Sequence, residues 1–343
     1  MNTFTIAHLW FTVAVDTTIV MDVFKGSALR GAWQSHLRTL YCAQSDQTDP
    51  LHQSLCPVCF LLSRETGSGE DRRPYAFLPP LTSQTTFAPG ERFAFGISLF
   101  GQTVDFLPYL VLAVGQMGQV QGLGKPIHAT TRGRYRRGTF HLVSIEEINP
   151  LSGERRFLLE EGSTMVQTPR LLVDEHQIVM ASDALLEKLA AGENRLAIHF
   201  LTPMRIVQDR HLVKQPRFTP FLARLLDRVS ALRSQFSQEP PLSREEKGAL
   251  LALASRVDLV VDATRWWDIK GRSTRLQRAQ PLGGFVGRVV YQAPNTEIWR
   301  PLLPWLLWGQ STQVGKNVVK GCGWYVMESS GAILLPESVK DSV

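Results

Sequence analysis

Long apolar runs are missing from this chain. None approaches the roughly 20 residues that a membrane-spanning helix needs. The N-terminus lacks a basic segment followed by an apolar block, and Asp16 interrupts its strand-like pattern. No secretory signal is read there, which predicts a protein kept in the cytoplasm. Cysteine is scarce, with four in 343 residues, so a disulfide scaffold is a poor reading. The GxxxxGK[ST] order of a nucleotide-binding loop is absent, which argues against mononucleotide binding. Carboxylates do not gather as they do in a two-metal nuclease. What is present is a folded composition: 44% hydrophobic and 20% charged, with a formal net charge of +6. The length suits about two domains.

Glycine is placed with a pattern. Gly115-Gln-Met-Gly-Gln-Val120 corresponds to Gly309-Gln-Ser-Thr-Gln-Val314, a spacing of 194 residues. Each copy follows an apolar segment and leads into a Gly-x-Gly, Gly122-Leu-Gly124 and Gly321-Cys-Gly323. A period this long means duplicated domains rather than a solenoid. In the second copy Gly315, Gly321 and Gly323 flank Lys316 and Lys320. Open amides and two cations together suit a phosphodiester backbone. The competing reading is that the glycines let the loop pack closely on a sheet.

Positive charge is clustered as well. Lys125, Arg132, Arg134, Arg136 and Arg137 fall in a stretch without an acidic residue. Arg265, Lys270, Arg272, Arg275 and Arg278 lie beside Trp266 and Trp267. Cations near aromatics suit single-stranded or hairpin RNA, where bases stack and phosphates need neutralising. The plain alternative is a solvated surface, and the tryptophans also suit a core. Cys56-Pro-Val-Cys59 has metal-ligand spacing, and Cys42 or His52 could complete a structural zinc site. Reduced thiols in an ordinary insertion are the alternative.

Periodicity predicts a strand over 3–15 and a helix over 26–41, with Leu29, Trp33, Leu37 and Leu40 on one face. A loop-rich insertion follows over about 42–74. Strands are expected at 75–79 and 91–100, a helix at 103–114, a strand at 138–148 and a hairpin at 150–161. Residues 162–193 read as a linker with a short helix near 183–190. The same plan recurs: a strand from 195, helices at 219–236 and 243–256, a strand at 284–292, a helix at 296–308 and a final strand. The β-α-β-β-α-β order gives an α+β chain of two tandem ferredoxin-like modules. The domains are expected over 1–161 and 194–330, with a tail at 331–343.

Thr202-Pro-Met-Arg-Ile206, Trp266-Trp-Asp268, Ser273-Thr-Arg275, Pro281-Leu-Gly-Gly-Phe-Val-Gly287 and the Val314–Val326 loop together resemble the CRISPR repeat-processing endoribonucleases of the RAMP superfamily. Leu29-Arg-Gly-Ala32 with Cys42, Cys56 and Cys59 is similar to bacterial members. The likeness covers most of the chain and is strongest from 200 to 327. Where relatives often carry Arg-Tyr-Ser-x-Arg-Gln, this chain has Gly271-Arg-Ser-Thr-Arg-Leu276. The resemblance implies two RRM-like domains and metal-independent cutting of the CRISPR precursor transcript at its repeats. It implies repeat RNA as partner, with other CRISPR-associated effector subunits as further candidates. A structural or non-cleaving RNA-binding RAMP subunit is the alternative.

In metal-free cleavage the adjacent 2′-hydroxyl attacks the phosphate. Histidine suits the proton steps and Lys or Arg the charge. Family members commonly carry a catalytic histidine on the first helix, which here points to His36, flanked by Arg30 and Arg38. Tyr41, about one turn on, is a candidate assistant. His128, beside the first basic cluster, is the second candidate histidine. A packed histidine at the edge of the apolar stripe is the competing reading of His36.

Overall fold

The computed structural model describes residues 3–42, 49–62, 72–128, 135–273 and 278–328. Two compact units divide them: 7–148 with 154–172, and 3–6, 149–153 with 173–328.

The first unit contains β1 (Ile6–Val15), β2 (Ile19–Val20), α1 (Gly26–Tyr41), α2 (Pro50–Leu55), α3 (Pro57–Leu62), β3 (Tyr75–Leu78), β4 (Thr86–Phe87), β5 (Arg92–Phe100), α4 (Leu107–Gln116), β6 (Leu123–His128), β7 (Tyr135–Gly138), β8 (Phe140–Ile148) and β9 (Arg155–Leu159). Its main sheet runs β3-β5-β1-β8-β9. β1 sits in the middle and is buried almost throughout. A strand covered on both faces reads as a nearly continuous apolar run, and Ile6–Val15 does apart from His8 and Thr12. Trp33 of α1 packs edge-on against Tyr75 and Phe77, with ring centroids 4.9 and 5.6 Å away.

The second unit contains α5 (Glu175–Ala191), β10 (Arg195–Met204), β11 (Ile206–Gln208), β12 (His211–Val213), α6 (Phe218–Phe236), α7 (Arg244–Ala254), β13 (Asp258–Trp267), β14 (Lys270–Ser273), β15 (Arg278–Pro281), β16 (Gly284–Gln292), α8 (Thr296–Trp299), α9 (Leu303–Thr312) and β17 (Tyr325–Met327). Its main sheet runs β13-β16-β10-β17. Numbered within the module, that is 2-3-1-4, and the first unit repeats it before adding β9. Both modules are therefore ferredoxin-like. Phe200, Phe221 and Tyr325 form an aromatic cluster in the second core, and the Tyr325 hydroxyl donates to the Leu306 carbonyl at 2.6 Å.

Three expectations change. The segment read as a linker is largely α5, which starts eight residues earlier than the short helix expected near 183–190. Asp174 caps it by accepting from the Gln177 amide at 2.9 Å. The cysteine segment is not plain loop, since α2 and α3 lie in it and Val58–Leu62 are buried. Lys125 lies on β6 and Arg136 and Arg137 on its antiparallel partner β7, while Lys270 and Arg272 lie on β14, Arg278 on its partner β15 and Arg265 on β13. The tail at 331–343 lies outside the described residues.

Candidate functional site

The glycine loop after α9 is built inward. Gly323 has φ +77°, and a Cβ there would stand 1.7 Å from the Val314 carbonyl oxygen, so no side chain fits. The loop amides have protein acceptors: Val314 N donates to Gly323 O, Lys316 N to Arg205 O, Gly321 N to Val318 O and Gly323 N to Pro203 O, all within 3.0 Å. The expectation that these glycines hold their amides open to phosphate is therefore corrected for Gly321 and Gly323. The amides stitch the loop to the end of β10, because their carbonyl partners lie close enough only when no Cβ intervenes. What the loop offers outward is side-chain charge: Lys316 is exposed and Lys320 half-buried, whereas Gly321 and Gly323 are buried and Gly315 half-buried. The earlier Gly-x-Gly behaves alike. Gly124 has φ +87°, and its Cβ would lie 2.3 Å from the Val20 carbonyl oxygen.

In the first basic cluster Lys125 and Arg136 are exposed. Lys125 pairs with Asp22 at 2.5 Å, an acid that sequence distance concealed. Arg137 is exposed too and donates to the Gly124 carbonyl at 2.9 Å, so it also braces the loop. Arg132 and Arg134 lie outside the described residues, as does the side chain of His128, whose backbone is in β6. In the second cluster the backbones of Lys270 and Arg272 lie in β14. Their side chains and all of Arg275 lie outside the described residues.

Trp266 and Trp267 are not core residues. β13 is an edge strand with most of its residues exposed, and Trp266 is 37% exposed. The Arg205 guanidinium lies 6.0 Å from the Trp266 ring, and that of Arg265 lies 6.0 Å from the Trp267 ring. Two arginine–indole pairs on a surface can stack bases and meet phosphates at once. Trp324, by contrast, is buried. Arg205 was missed as a candidate, although it stands inside the Thr202–Ile206 motif.

α1 carries the other candidates. His36 is only 1% exposed, so it belongs to the buried stripe rather than its edge. Its Nε2 lies 3.2 Å from Gln116 Oε1 at the end of α4. Its Nδ1 has no partner among the described residues, nor do Arg30 Nε, Arg38 Nε and the Tyr41 hydroxyl. Leaving such groups buried and unpaired costs about 1–3 kcal/mol each. Burial holds the Tyr41 hydroxyl above the usual phenol range, so it stays protonated and can donate. Tyr41 also meets Tyr109 edge-on at 6.1 Å. The remaining described histidines have structural or surface settings. His8 is buried against Ser98 at 2.8 Å, and desolvation lowers its pKa to about 4. His141 pairs with Asp16 at 2.6 Å. Cys42, Cys56 and Cys59 come together with His52, so the structure takes both of the completing ligands offered by the sequence.

Residues 198–325 match the family model of the CRISPR-associated endoribonuclease Cas6, and residues 4–171 match a model described as an N-terminal domain, AF_1859_N. No curated protein matches the chain. Among solved structures, a Thermus thermophilus Cas6 aligns over 95% of this chain and 100% of its own, at 13% identity and a TM-score of 0.54. A Cas6 product complex aligns over 94% and 99%, at 14% identity and 0.51. A partial Cas6-RT-Cas1–Cas2 complex aligns over 95% of this chain and 46% of its own, at 12% identity and 0.57. At such identities these likenesses speak for the fold. The assignment of activity comes from the Cas6 domain model, which spans β10 through the glycine loop to β17. The C-terminal half of the chain therefore carries a domain of the CRISPR-associated endoribonuclease Cas6 family, in a chain whose fold is similar to that of solved Cas6 proteins.

Proposed function

We propose that this protein cuts the CRISPR precursor transcript at its repeats, in the cytoplasm, without a metal ion at the scissile phosphate. The 2′-oxygen attacks phosphorus and the bond to the 5′-oxygen breaks. One proton leaves the 2′-hydroxyl and one is delivered to the departing oxygen. The products are a 2′,3′-cyclic phosphate, which water can open, and a 5′-hydroxyl.

His36 is the proton-transfer residue in this reading. The observation that carries it is the spare Nδ1 of a histidine on a helix where Arg30, Arg38 and Tyr41 also keep unpaired polar atoms. RNA would supply the acceptors these groups lack, with Tyr41 donating and Arg30 and Arg38 holding charge. Burial sets a condition: the ring reaches the phosphodiester only if its contact with Gln116 opens. His128 is the second candidate for the same step.

RNA is held in this reading by Lys316 and Lys320 beside Gly315, Gly321 and Gly323, and by Lys125, Arg132, Arg134, Arg136 and Arg137 around the first hairpin. Lys270, Arg272 and Arg275 around the second hairpin complete the set, with Trp266 and Trp267 as stacking surfaces. The likeness to a chain of a Cas6-RT-Cas1–Cas2 complex supports other CRISPR-associated proteins as further partners. The test is a repeat RNA with a single 2′-deoxy nucleotide at the cut site. It should bind as the all-RNA repeat does and resist cleavage. Cutting at the same position would rule out 2′-hydroxyl attack.

A further inference from the structure

Cys42, His52, Cys56 and Cys59 lie on three separate pieces of the first unit. Cys42 is the residue that ends α1, with extended backbone at φ −149° and ψ 100°. His52 is on α2, which Asp49 starts by accepting from the Leu51 and His52 amides. Cys56 ends α2, its amide donating to the His52 carbonyl at 2.9 Å. Cys59 is on α3, which Pro57 opens at its first position. These local choices bring one ligand atom from each side chain within 4.8 Å of all the others.

The distances fit a metal better than any bond among the residues themselves. The Cys42 and Cys59 sulfurs are 3.6 Å apart, far beyond the roughly 2.05 Å of a disulfide. Cys42 Sγ and His52 Nε2 are 3.4 Å apart. With Zn–S about 2.3 Å and Zn–N about 2.0–2.1 Å, tetrahedral edges come to about 3.8 Å for S–S and about 3.6 Å for S–N. Three thiolates and an imidazole select zinc over magnesium, calcium or manganese, which prefer oxygen. The cluster is also half-closed to water: Cys42 and Cys59 are buried, and His52 and Cys56 partly so. Four protein ligands leave no open position, which marks a structural and not a catalytic ion.

We propose that these four residues bind one zinc ion, and that the ion pins the C-terminal end of α1 to α2 and α3. α3 is itself anchored. Val58 through Leu62 are buried, and Phe60 packs on Phe106 with centroids 5.1 Å apart. Arg73 donates to the Leu61 carbonyl at 3.3 Å. The pin therefore fixes the end of the helix that carries His36 and Tyr41. The ion acts on the helix and takes no part in proton transfer, so this inference stands whether or not His36 is catalytic.

The experiment uses the full chain produced with zinc supplied. Elemental analysis should find one zinc per chain, and thiol modification should release it. Exchange with cobalt(II) should give the visible bands of a tetrahedral site with thiolate charge transfer. The Cys56→Ser/Cys59→Ser variant should lose the metal. Zinc at trace level, iron in its place, or stoichiometric zinc retained by the double variant would each overturn the site. If the double variant does not fold, the cobalt spectrum of the wild-type chain decides: its absence refutes the proposal. Removing zinc should accelerate amide exchange over residues 36–41, with recovery on adding zinc but not magnesium. Unchanged exchange in the zinc-free chain would refute the pin.

Discussion

α1 and α6 hold the same place in two copies of one module, and their eleventh residues differ. In α1 it is His36, with Nε2 against the side chain of Gln116 at the end of α4. In α6 it is Arg228, whose Nε donates at 2.9 Å to the carbonyl of Thr312 at the end of α9. Both side chains are buried and both tie the first helix of a module to the end of its second. The second module uses a permanent cation beside a helix C-terminus, where the dipole favours it. The first uses an imidazole that binds through one ring nitrogen. A brace needs only one contact. What distinguishes a candidate for chemistry from its structural counterpart is the side-chain type: a histidine ring nitrogen can give or take a proton, and a guanidinium stays charged.

The comparison breaks most visibly at these two positions. His36→Ala should slow single-turnover cleavage by about 10²–10⁴-fold with repeat affinity nearly unchanged, because its part in this reading is proton transfer and not RNA binding. A folded variant cutting at the normal rate would make His36 a second brace, and His128 the residue to test next. Arg228→Ala should do the opposite. Urea unfolding should show a loss of about 2–3 kcal/mol, since a charged hydrogen bond and a buried carbonyl partner are lost together. Cleavage per folded molecule should stay as it was.

A second contrast lies in the central strands. His8 in β1 is fully enclosed and its folded pKa is lowered to about 4, against an ordinary 6.5. The folded state therefore resists a proton that the unfolded chain accepts. Stability is complete above pH 6.5 and is lost as pH falls toward 4. Between pH 7 and 5 the loss should be about 2 kcal/mol, read by denaturant melts, and His8→Asn should flatten that part of the profile. The smallest effect concerns the glycine loop. Lys316→Ala with Lys320→Ala should weaken repeat binding and reduce the slope of log affinity against log salt by about 1.4, near 0.7 for each phosphate contact on single-stranded RNA. An unchanged slope would place the loop outside the RNA footprint.

Which features could be read without coordinates follows from their range in sequence. β1 and α1 are local patterns: a largely apolar run broken by His8 and Thr12, and a 3.6-residue stripe. The module order was legible because the Gly115–Val120 and Gly309–Val314 motifs begin at equivalent places, in the last turns of α4 and α9. The glycine loop misled because its amides find acceptors at Pro203 and Arg205, over 110 residues upstream. His36 was placed at the edge of its stripe because Gln116, the group that lets a polar ring enter the interior, is 80 residues away. The basic clusters hid their hairpins, since arginine and lysine carry no two-residue apolar alternation. The start of α5 was available in Asp174 and Gln177, a capping signal that was passed over. His52 was visible as a ligand but not as an addition to Cys42, because spacing alone gives no distance.

The central claim is that this chain cuts repeat RNA by 2′-hydroxyl attack with no metal at the phosphate. The most direct measurement incubates the purified chain with its own CRISPR repeat RNA in EDTA, with bound zinc monitored, and maps both new ends. The account predicts full cleavage, a 5′-hydroxyl and a 2′,3′-cyclic phosphate or its opened form. Cleavage that stops in EDTA and returns with magnesium, leaving a 5′-phosphate, would contradict it.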